Sequence, residues 1–346
     1  MGCRVLSSPQ PLDGLQVVGI PMRVSFRGIT TREVALIEGP NGWGEWGPFL
    51  DYPPPEAARW LAAALEAAWG TWPAPVRHTV PVNATVPAIP ADDVPAILTR
   101  FPGATTAKIK VAQPGQTLAD DLDRVTAVRA ALGPSARIRV DANGAWSLAE
   151  ASEALTKLAA YDLEYAEQPC ATVEDLAALR RDLARRRIDV PIAADESIRK
   201  ADDPLRVRDL HAADLIVVKV APLGGVAAAL DIVAATGLPA VVSSALDTSI
   251  GIAAGVALAA ALPKLEHACG LGTVGLFTGD VAASPLRPVA GELPVCRVAA
   301  DPDLLTRWAA PPKRAAWWRE RLTATWPHLP AAARALVGDR TSPRAD

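Results

Sequence analysis

Short apolar runs alternate with longer stretches of helical period between residues 82 and 268. Each apolar run is about four to seven residues long, which is typical of a buried parallel strand. The predicted strands are residues 82–88, 107–111, 137–141, 163–167, 191–195, 215–219, 239–243 and 265–268. The predicted helices between them are residues 118–132, 147–160, 173–186, 204–212, 225–236 and 249–262. Because parallel strands require crossovers of this length, eight such units favour a closed (β/α) barrel over an open sheet.

Both ends of the chain depart from this repeat. Residues 15–26 and 32–38 are predicted strands, followed by a turn signal at Pro40-Asn41-Gly42 and a predicted helix over residues 55–69. The ten tryptophans lie mostly in the first 75 and last 40 residues. We therefore predict a barrel and a second, smaller region built from both chain ends. The predicted boundaries are residues 81–275 for the barrel, 1–80 and 276–330 for the smaller region, and 331–346 for a poorly ordered tail.

Composition narrows the class of partner. A net charge of −3 without a basic stripe speaks against nucleic acid. The longest apolar run, residues 249–262, is too short to span a bilayer, so no membrane partner is expected. The four cysteines form no C-x-x-C pair, which favours a reduced, cytoplasmic protein without a disulfide framework or structural zinc. We therefore expect a small-molecule partner. The sequence leaves the oligomeric state open and is compatible with a monomer.

Lysine is scarce in this chain, yet three of its seven lysines interrupt apolar strands. Lys108 and Lys110 lie in one predicted strand, and because side chains alternate in direction they point to the same face. Crowding of two ammonium groups lowers a lysine pKa from about 10.4 toward neutrality, which arginine does not allow. The pair therefore predicts a base that works at physiological pH. Lys219 ends another strand and is a candidate second acid/base or fixed positive charge.

Polar residues that interrupt the strands fall at their C-terminal ends. Lys110, Asp141, Glu167, Asp195 and Lys219 follow one another at intervals of 31, 26, 28 and 24 residues, one in each unit. In a barrel these ends meet at one mouth, where the active sites of this architecture lie. Three carboxylates that face each other require a cation, and an all-oxygen ligand set favours Mg²⁺, with Mn²⁺ as the alternative. The set predicts a metal-assisted removal of a proton α to a carboxylate, which gives an enediolate.

Each of these residues taken alone has an ordinary structural interpretation. Asp141 and Asp195 are also typical helix caps, Glu167 a typical solvated loop residue, and Lys108 a typical partner of a buried carboxylate. Their joint occurrence in phase with the repeat favours a functional site over these alternatives.

The quoted residues resemble the motifs of the enolase superfamily, in its muconate-lactonizing branch. The matches are Lys108-Ile109-Lys110, Asp141-Ala142-Asn143-Gly144, Glu167-Gln168-Pro169, Ala194-Asp195-Glu196-Ser197 and Val218-Lys219-Val220. The resemblance covers about residues 15 to 280. It implies a capping α+β domain, made from both termini, over a (β/α)₇β TIM-like barrel of the α/β class.

Within that branch the chain most resembles the o-succinylbenzoate synthase family. Three segments carry this closer likeness: Ser25-Phe26-Arg27-Gly28, Gly42-Trp43-Gly44-Glu45-Trp46-Gly47-Pro48-Phe49 and Ser243-Ser244-Ala245-Leu246-Asp247-Thr248. The likeness implies a syn dehydration of 2-succinyl-6-hydroxy-2,4-cyclohexadiene-1-carboxylate in menaquinone biosynthesis. By the same resemblance Lys110 takes the α proton and returns it to the departing hydroxyl, while Lys219 stays protonated against the ring and Lys108 tunes Lys110. Mg²⁺ on Asp141, Glu167 and Asp195 would hold the enediolate.

The resemblance also points to residues around this centre. Asn143 and Glu196 are candidates for contacts behind the metal ligands, or simple loop hydrogen-bonding residues. Ser243, Ser244 and the backbone of Gly270 are candidates for binding the succinyl carboxylate, although serines at strand ends also cap helices. Arg27 lies in a segment that the family uses as a lid, or is merely a solvated loop arginine.

Three related activities are the alternatives to this one. An N-succinylamino acid racemase needs one base on each face of the α carbon, which Lys110 and Lys219 supply. A dipeptide epimerase carries Asp-x-Asp where this chain has Gly270-Leu271-Gly272, and mandelate-racemase-like chemistry needs a histidine on the seventh strand, which is absent. From another class, a non-catalytic metal-binding module would not need the Lys108-Lys110 pair.

Overall fold

A three-stranded antiparallel sheet and one long helix form the N-terminal part of the structure. The computed structural model describes residue 12 and residues 14–26, 28–199 and 203–338. Strands β1 (Gln16–Phe26), β2 (Ile29–Gly39) and β3 (Gly42–Trp46) are hydrogen-bonded in chain order. The predicted turn is present, since Gly39 pairs with Gly42 and Gly42 adopts a positive φ of 129°.

Helix α1 (Pro54–Trp69) lies directly against this sheet. It begins at a proline, which is favoured in the first turn because its missing N–H would have no helical partner. A Cβ at Gly44 would stand 2.0 Å from the carbonyl oxygen of Ala64, so the close approach of β3 to α1 requires glycine at this position. The Ala-rich face of α1 is buried as a result.

Seven parallel strands form the central sheet. They are β5 (Ala84–Val86), β6 (Thr106–Lys110), β7 (Arg137–Asp141), β8 (Leu163–Glu167), β9 (Ile192–Ala194), β10 (Leu215–Val218) and β11 (Ala240–Val242). Neighbours in the sheet are also neighbours in the chain, from β5 to β11. The helices between and after them are α2 (Val94–Leu98), α3 (Leu118–Leu132), α4 (Leu148–Leu158), α5 (Val173–Arg185), α6 (Glu196–Arg199), α7 (Arg206–Asp209), α8 (Val220–Leu223), α9 (Val226–Thr236) and α10 (Ser249–Ala261).

Cys269 and Gly270 close the sheet into a barrel. Cys269 bridges Val82 on one edge, and Gly270 bridges Ser243 on the other, both in parallel orientation. The eighth strand was predicted at residues 265–268, and this placement is wrong by a few residues. The carbonyl oxygen of Ala268 accepts a hydrogen bond from the Arg139 side chain at 2.7 Å instead of entering a strand ladder. The predicted (β/α)₇β barrel with its α+β capping domain is confirmed.

Helices α3, α5 and α10 begin at the predicted residues, and α4 begins one residue after its predicted start. Thr117 and Ser147 each form a capping box at the start of α3 and α4. The hydroxyl of the first residue accepts from the backbone N–H of the residue three positions later, whose carboxylate in turn accepts from the backbone N–H of the first residue. The other predicted boundaries shift at helix ends, and residues 204–212 contain only the short α7.

The C-terminal segment returns to the N-terminal sheet and helix. Strand β12 (Glu292–Pro294) pairs with β4 (Thr79–Pro81), and helices α11 (Pro302–Arg307), α12 (Pro312–Thr325) and α13 (Ala331–Val337) follow. Both α12 and α13 pack on α1. The tail predicted from residue 331 is therefore ordered into a helix up to Val337, because Ala333 and Val337 share one buried face. Residues 339–346 lie outside the described part of the chain.

Candidate active site

Five strand ends bring the predicted polar residues to one mouth of the barrel. Lys110, Asp141 and Glu167 are the last residues of β6, β7 and β8. They are register partners in turn, Lys110 with Asp141 and Asp141 with Glu167. Asp195 and Lys219 directly follow β9 and β10. The repeat of one polar residue per unit therefore produces one cluster.

The two lysines of β6 share one carboxylate oxygen. Lys110 Nζ lies 2.6 Å from Asp141 Oδ2, and Lys108 Nζ lies 3.0 Å from the same atom. Lys108 also donates to Glu167 Oε1 at 2.8 Å, while Lys110 donates to Asn143 Oδ1 at 2.6 Å. The period-two alternation of the strand thus places both ammonium groups in one buried cluster of charges.

On the far side of the mouth, Asp195 carries two cations. Lys219 forms a short contact with Asp195 Oδ2, and Arg199 Nε donates to Oδ1 at 3.1 Å. Arg199 also donates to Glu196 Oε1 at 2.6 Å and to the Tyr52 hydroxyl of the capping domain at 3.0 Å. Arg199 was not predicted as a site residue from the sequence. The available signal was its position four residues after Asp195, because side chains at this spacing in a helical turn lie next to each other.

Two amides connect the strand ends. The Asn143 backbone N–H donates to Asp141 Oδ1 at 3.1 Å, and its side-chain Nδ2 donates to Glu196 Oε1 at 3.2 Å. Gln168 Oε1 accepts from the backbone N–H of Asp195 at 2.9 Å, with the Gln168 backbone in the left-handed region at φ 38°. Asn143 therefore connects Asp141 to Glu196, and Gln168 joins β8 to β9.

The buried charges move the pKa values of the lysines in opposite directions. Burial lowers the pKa of Lys110, and the neighbouring Lys108 lowers it further, against the attraction of Asp141. Burial also acts against the charged form of Lys108, but the carboxylates of Asp141 and Glu167 outweigh it and hold that pKa well above its ordinary value. Lys110 is therefore the lysine of this pair that gives up its proton more readily.

The pKa values of the three carboxylates also shift in different directions. Burial and the charge of Asp141 raise the pKa of Glu167 to about 7. Although burial disfavours the charged form of Asp195, Lys219 and Arg199 lower its pKa to about 2. Asp141 is likewise held well below its ordinary pKa, because Lys108 and Lys110 outweigh the effect of burial.

The metal centre predicted from the sequence needs a different arrangement of these side chains. Among the described residues, no three His, Cys, Asp or Glu side chains lie close enough together to hold a metal ion. Lysine ammonium groups lie against the three carboxylates, because Lys108 contacts both Asp141 and Glu167 while Lys219 contacts Asp195. Glu167 Oε2 is nevertheless buried and has no hydrogen-bond partner within the described residues. A free buried oxygen in an all-carboxylate set fits a hard divalent cation.

A narrow cavity of about 30 Å³ opens at this mouth. Ser244 Oγ donates to the Gly270 carbonyl at 2.7 Å and lies 2.9 Å from Thr273 Oγ1, and Ser243 lies beside them. The predicted Ser243, Ser244 and Gly270 therefore line the cavity together. Further lining residues to which the sequence assigned no role in the site are Phe49, Thr85, Ala245, Leu246 and Thr273.

Phe26 lines this cavity from the capping domain. Lys110 Nζ lies 5.3 Å from the centroid of the Phe26 ring, a distance at which a cation interacts with an aromatic face. Arg27, the next residue, lies outside the described residues.

Family comparison covers both parts of the chain. Residues 98–300 match the family described as enolase C-terminal domain-like, and residues 17–68 match the enolase N-terminal domain-like family. The o-succinylbenzoate synthase of Mycobacterium ulcerans is 61% identical over 322 residues, 93% of this chain and 96% of the relative. The o-succinylbenzoate synthase of Mycobacterium tuberculosis is 60% identical over 316 residues, 91% of this chain and 94% of the relative.

Solved structures of similar fold have lower identity. A muconate lactonizing enzyme from Pseudomonas fluorescens, complexed with muconolactone, matches with a TM-score of 0.72 at 21% identity, covering 86% of this chain and 98% of its own. An N-succinyl Arg/Lys racemase from Bacillus cereus matches with a TM-score of 0.69 at 20% identity, covering 86% of this chain and 96% of its own. These likenesses concern the fold. Within the part of the chain that is described, no helix is both long and apolar enough to cross a membrane.

Proposed function

Because this chain belongs to the enolase superfamily, and within it to the family of the o-succinylbenzoate synthases, we propose that it performs the reaction that gives those relatives their name. The enzyme is a lyase. It removes water from 2-succinyl-6-hydroxy-2,4-cyclohexadiene-1-carboxylate and forms o-succinylbenzoate. The observation that carries the assignment of roles is the position of Lys110, a buried amine of lowered pKa among carboxylates at the barrel mouth.

Lys110 performs both proton transfers. In its neutral form Nζ accepts the proton from the carbon α to the substrate carboxylate, and the electron pair moves toward that carboxylate. The same Nζ then gives its proton to the departing hydroxyl as the carbon–oxygen bond breaks, so that water leaves and the ring becomes aromatic. One group serves both steps because the proton and the hydroxyl leave from one face. Asp141 and Asn143 hold Nζ at 2.6 Å each and fix its direction.

Asp141, Glu167 and Asp195 are the residues that would hold a divalent ion. The ion, Mg²⁺ or in its place Mn²⁺, supplies a positive charge that stabilises the charge developing on the substrate carboxylate. Glu167 offers an oxygen with no partner among the described residues, and Lys108 and Lys219 balance the excess negative charge of the set.

Lys219 supplies a positive charge on the other side of the mouth. Its strand, β10, lies four positions from β6 in the sheet, so Lys219 faces the substrate ring from the side opposite Lys110. Lys108 acts through Lys110, because its charge lowers the pKa of that amine. Ser243, Ser244 and the backbone of Gly270 line the part of the cavity where the succinyl carboxylate binds.

Turnover is the direct test. The purified chain is incubated with the cyclohexadiene substrate and Mg²⁺, and the absorbance of the aromatic product is followed. We expect formation of product well above the spontaneous rate. Absence of turnover with folded protein and saturating Mg²⁺ would refute the assignment.

We further propose that the enzyme works in the cytoplasm, on the route to menaquinone.

A racemase of N-succinyl amino acids is the second candidate. The observation that favours it is the placement of two amines, Lys110 and Lys219, at opposite sides of one mouth. Racemisation requires one acid/base on each face of the α carbon. The same site can therefore run both reactions.

A further inference from the structure

The connection between β11 and α10 forms part of the cavity wall. We refer to residues 244–248 as the cavity loop; its members Ser244, Ala245 and Leu246 line the cavity. Leu246 adopts a φ of 62°, in the left-handed region that a branched side chain disfavours. A residue stays in such a conformation only when its surroundings hold it there. Contacts from the capping domain hold the cavity loop in this conformation.

Arg32 of strand β2 holds the middle of the loop. It is buried, with 3% of its surface exposed. Its Nε donates to the carbonyl oxygen of Leu246 at 2.9 Å, and its Nη2 donates to the carbonyl oxygen of Gly47 in the capping domain. One guanidinium thus joins the strained residue of the loop to the chain that follows β3. A Cβ at Gly47 would lie 2.7 Å from Arg32 Nη2, so a larger residue there would displace the guanidinium.

Glu45 of strand β3 holds the end of the loop. Its Oε2 accepts from the Thr248 backbone N–H at 3.0 Å, the Thr248 hydroxyl at 2.5 Å and the Gly251 N–H at 3.1 Å. Asp247 Oδ2 accepts from the Ala245 N–H at 3.1 Å within the loop itself. Glu45, Asp247 and Arg32 are all buried, so these contacts form a polar cluster between the capping domain and the barrel.

These contacts reach across the two domains and end on residues that face the substrate cavity. We propose that Arg32 and Glu45 are positioning residues, through which the capping domain fixes the cavity loop in the orientation that binds the succinyl end of the substrate. The inference rests on the proposed function for the identity of the substrate. Because the loop contacts the substrate away from the reacting carbon, loss of its position weakens substrate binding more than it slows the chemical step.

The experiment compares four variants by steady-state kinetics. In Glu45→Ala and Arg32→Lys we expect KM to rise about tenfold while kcat stays within about threefold of wild type. Glu45→Gln retains a side-chain oxygen that accepts the loop N–H groups, so its KM should return to within about threefold of wild type. Glu33→Ala is the matched control, since Glu33 lies in the same sheet but contacts Arg314 and Trp318 instead of the barrel. It is expected to lose stability and keep its KM.

Two further measurements separate this inference from the assigned reaction. Binding of o-succinylbenzoate is measured by calorimetry, and amide hydrogen exchange is followed over residues 244–248. We expect weaker binding and faster exchange in Glu45→Ala, and neither in Glu33→Ala. A wild type without turnover would refute the reaction alone, because binding and exchange still report on the loop. Equal KM changes in Glu45→Ala and Glu33→Ala, or faster exchange with unchanged product binding, would refute the positioning role.

Discussion

Lys110 and Asp141 are register partners at the ends of adjacent strands, and Lys110 Nζ lies 2.6 Å from Asp141 Oδ2. The Asp141 side chain is buried, and 12% of the Lys110 side chain is exposed to solvent. A flexible lysine side chain is thereby held at one place in the barrel mouth. Because burial and Lys108 lower its pKa, the amine is held where a proton acceptor is needed.

Replacement of Lys110 by alanine should abolish turnover without unfolding the protein. A positioned general base contributes about 10²–10⁴-fold to a rate, and Lys110 serves in two proton transfers, so we expect a loss of about 10³-fold or more. The product's absorbance gives the rate, and circular dichroism verifies folding. Lys157→Ala is the control, because Lys157 is exposed on α4 and pairs with Glu153 at 2.8 Å.

Retention of near-normal turnover in Lys110→Ala would contradict the role of this residue. A wild type that binds Mg²⁺ but converts no acid would favour a non-catalytic metal-binding module.

Mg²⁺ should stabilise the folded protein against heat. A ligand at about a hundred times its Kd adds about 2.7 kcal/mol to the free energy of unfolding, so Tm should rise on addition of Mg²⁺ and fall again with chelator. In Asp195→Asn the rise should shrink strongly, because one of three proposed ligands has lost its charge. Asp182→Asn is the control, since Asp182 pairs with arginines at the surface. An undiminished Mg²⁺-dependent rise in Asp195→Asn would exclude Asp195 as a ligand.

N-succinyl amino acids in D₂O test the second activity. If Lys110 and Lys219 face opposite sides of the α carbon, wild type should exchange the α proton of both enantiomers. Each of Lys110→Ala and Lys219→Ala should then exchange only one enantiomer, and the two variants should differ in which one. Mass spectrometry measures the deuterium incorporated. Exchange of both enantiomers by Lys219→Ala would show that this lysine is not the second base.

The stability of the wild type should decline between about pH 5 and pH 8 by more than that of Glu45→Gln. Burial and the neighbouring Asp247 raise the pKa of Glu45 from its ordinary value of 4.5 to about 8 in the folded state. Over that range the folded protein binds a proton that the unfolded chain has released, so the stabilisation is complete below pH 4.5 and is lost as pH rises through 8. Glutamine does not titrate.

Chemical denaturation at several pH values measures this difference. Subtracting the free energy of unfolding of Glu45→Gln from that of wild type at each pH removes the contribution of Glu167, whose pKa is also raised and which titrates in both proteins. Parallel pH profiles of wild type and Glu45→Gln would contradict a raised pKa at Glu45.

The barrel was predictable from the sequence because its determinants are local. The exact helix Leu118–Leu132 was expected from periodicity, and its capping box is written in Thr117 and Asp120, three residues apart. Lys108 and Lys110 share a face because strand alternation leaves no other arrangement. Parallel strands have their C-terminal ends at one edge of the sheet. The residues at those ends, Lys110, Asp141, Glu167 and Asp195, therefore meet at one mouth.

Contacts between distant parts of the chain depended on tertiary structure. Glu45 contacts Thr248, 203 residues later, and Arg199 contacts Tyr52, 147 residues earlier. Which partner each buried charge takes was likewise decided in three dimensions, because a charge removed from water needs an ionic partner, and Asp141 pairs with Lys108 and Lys110. The sequence by itself determined which residues reach the mouth, through periods of two and 3.6. Only the packing of the capping domain on the barrel decided what holds them there, because that packing brings together side chains that no local period relates.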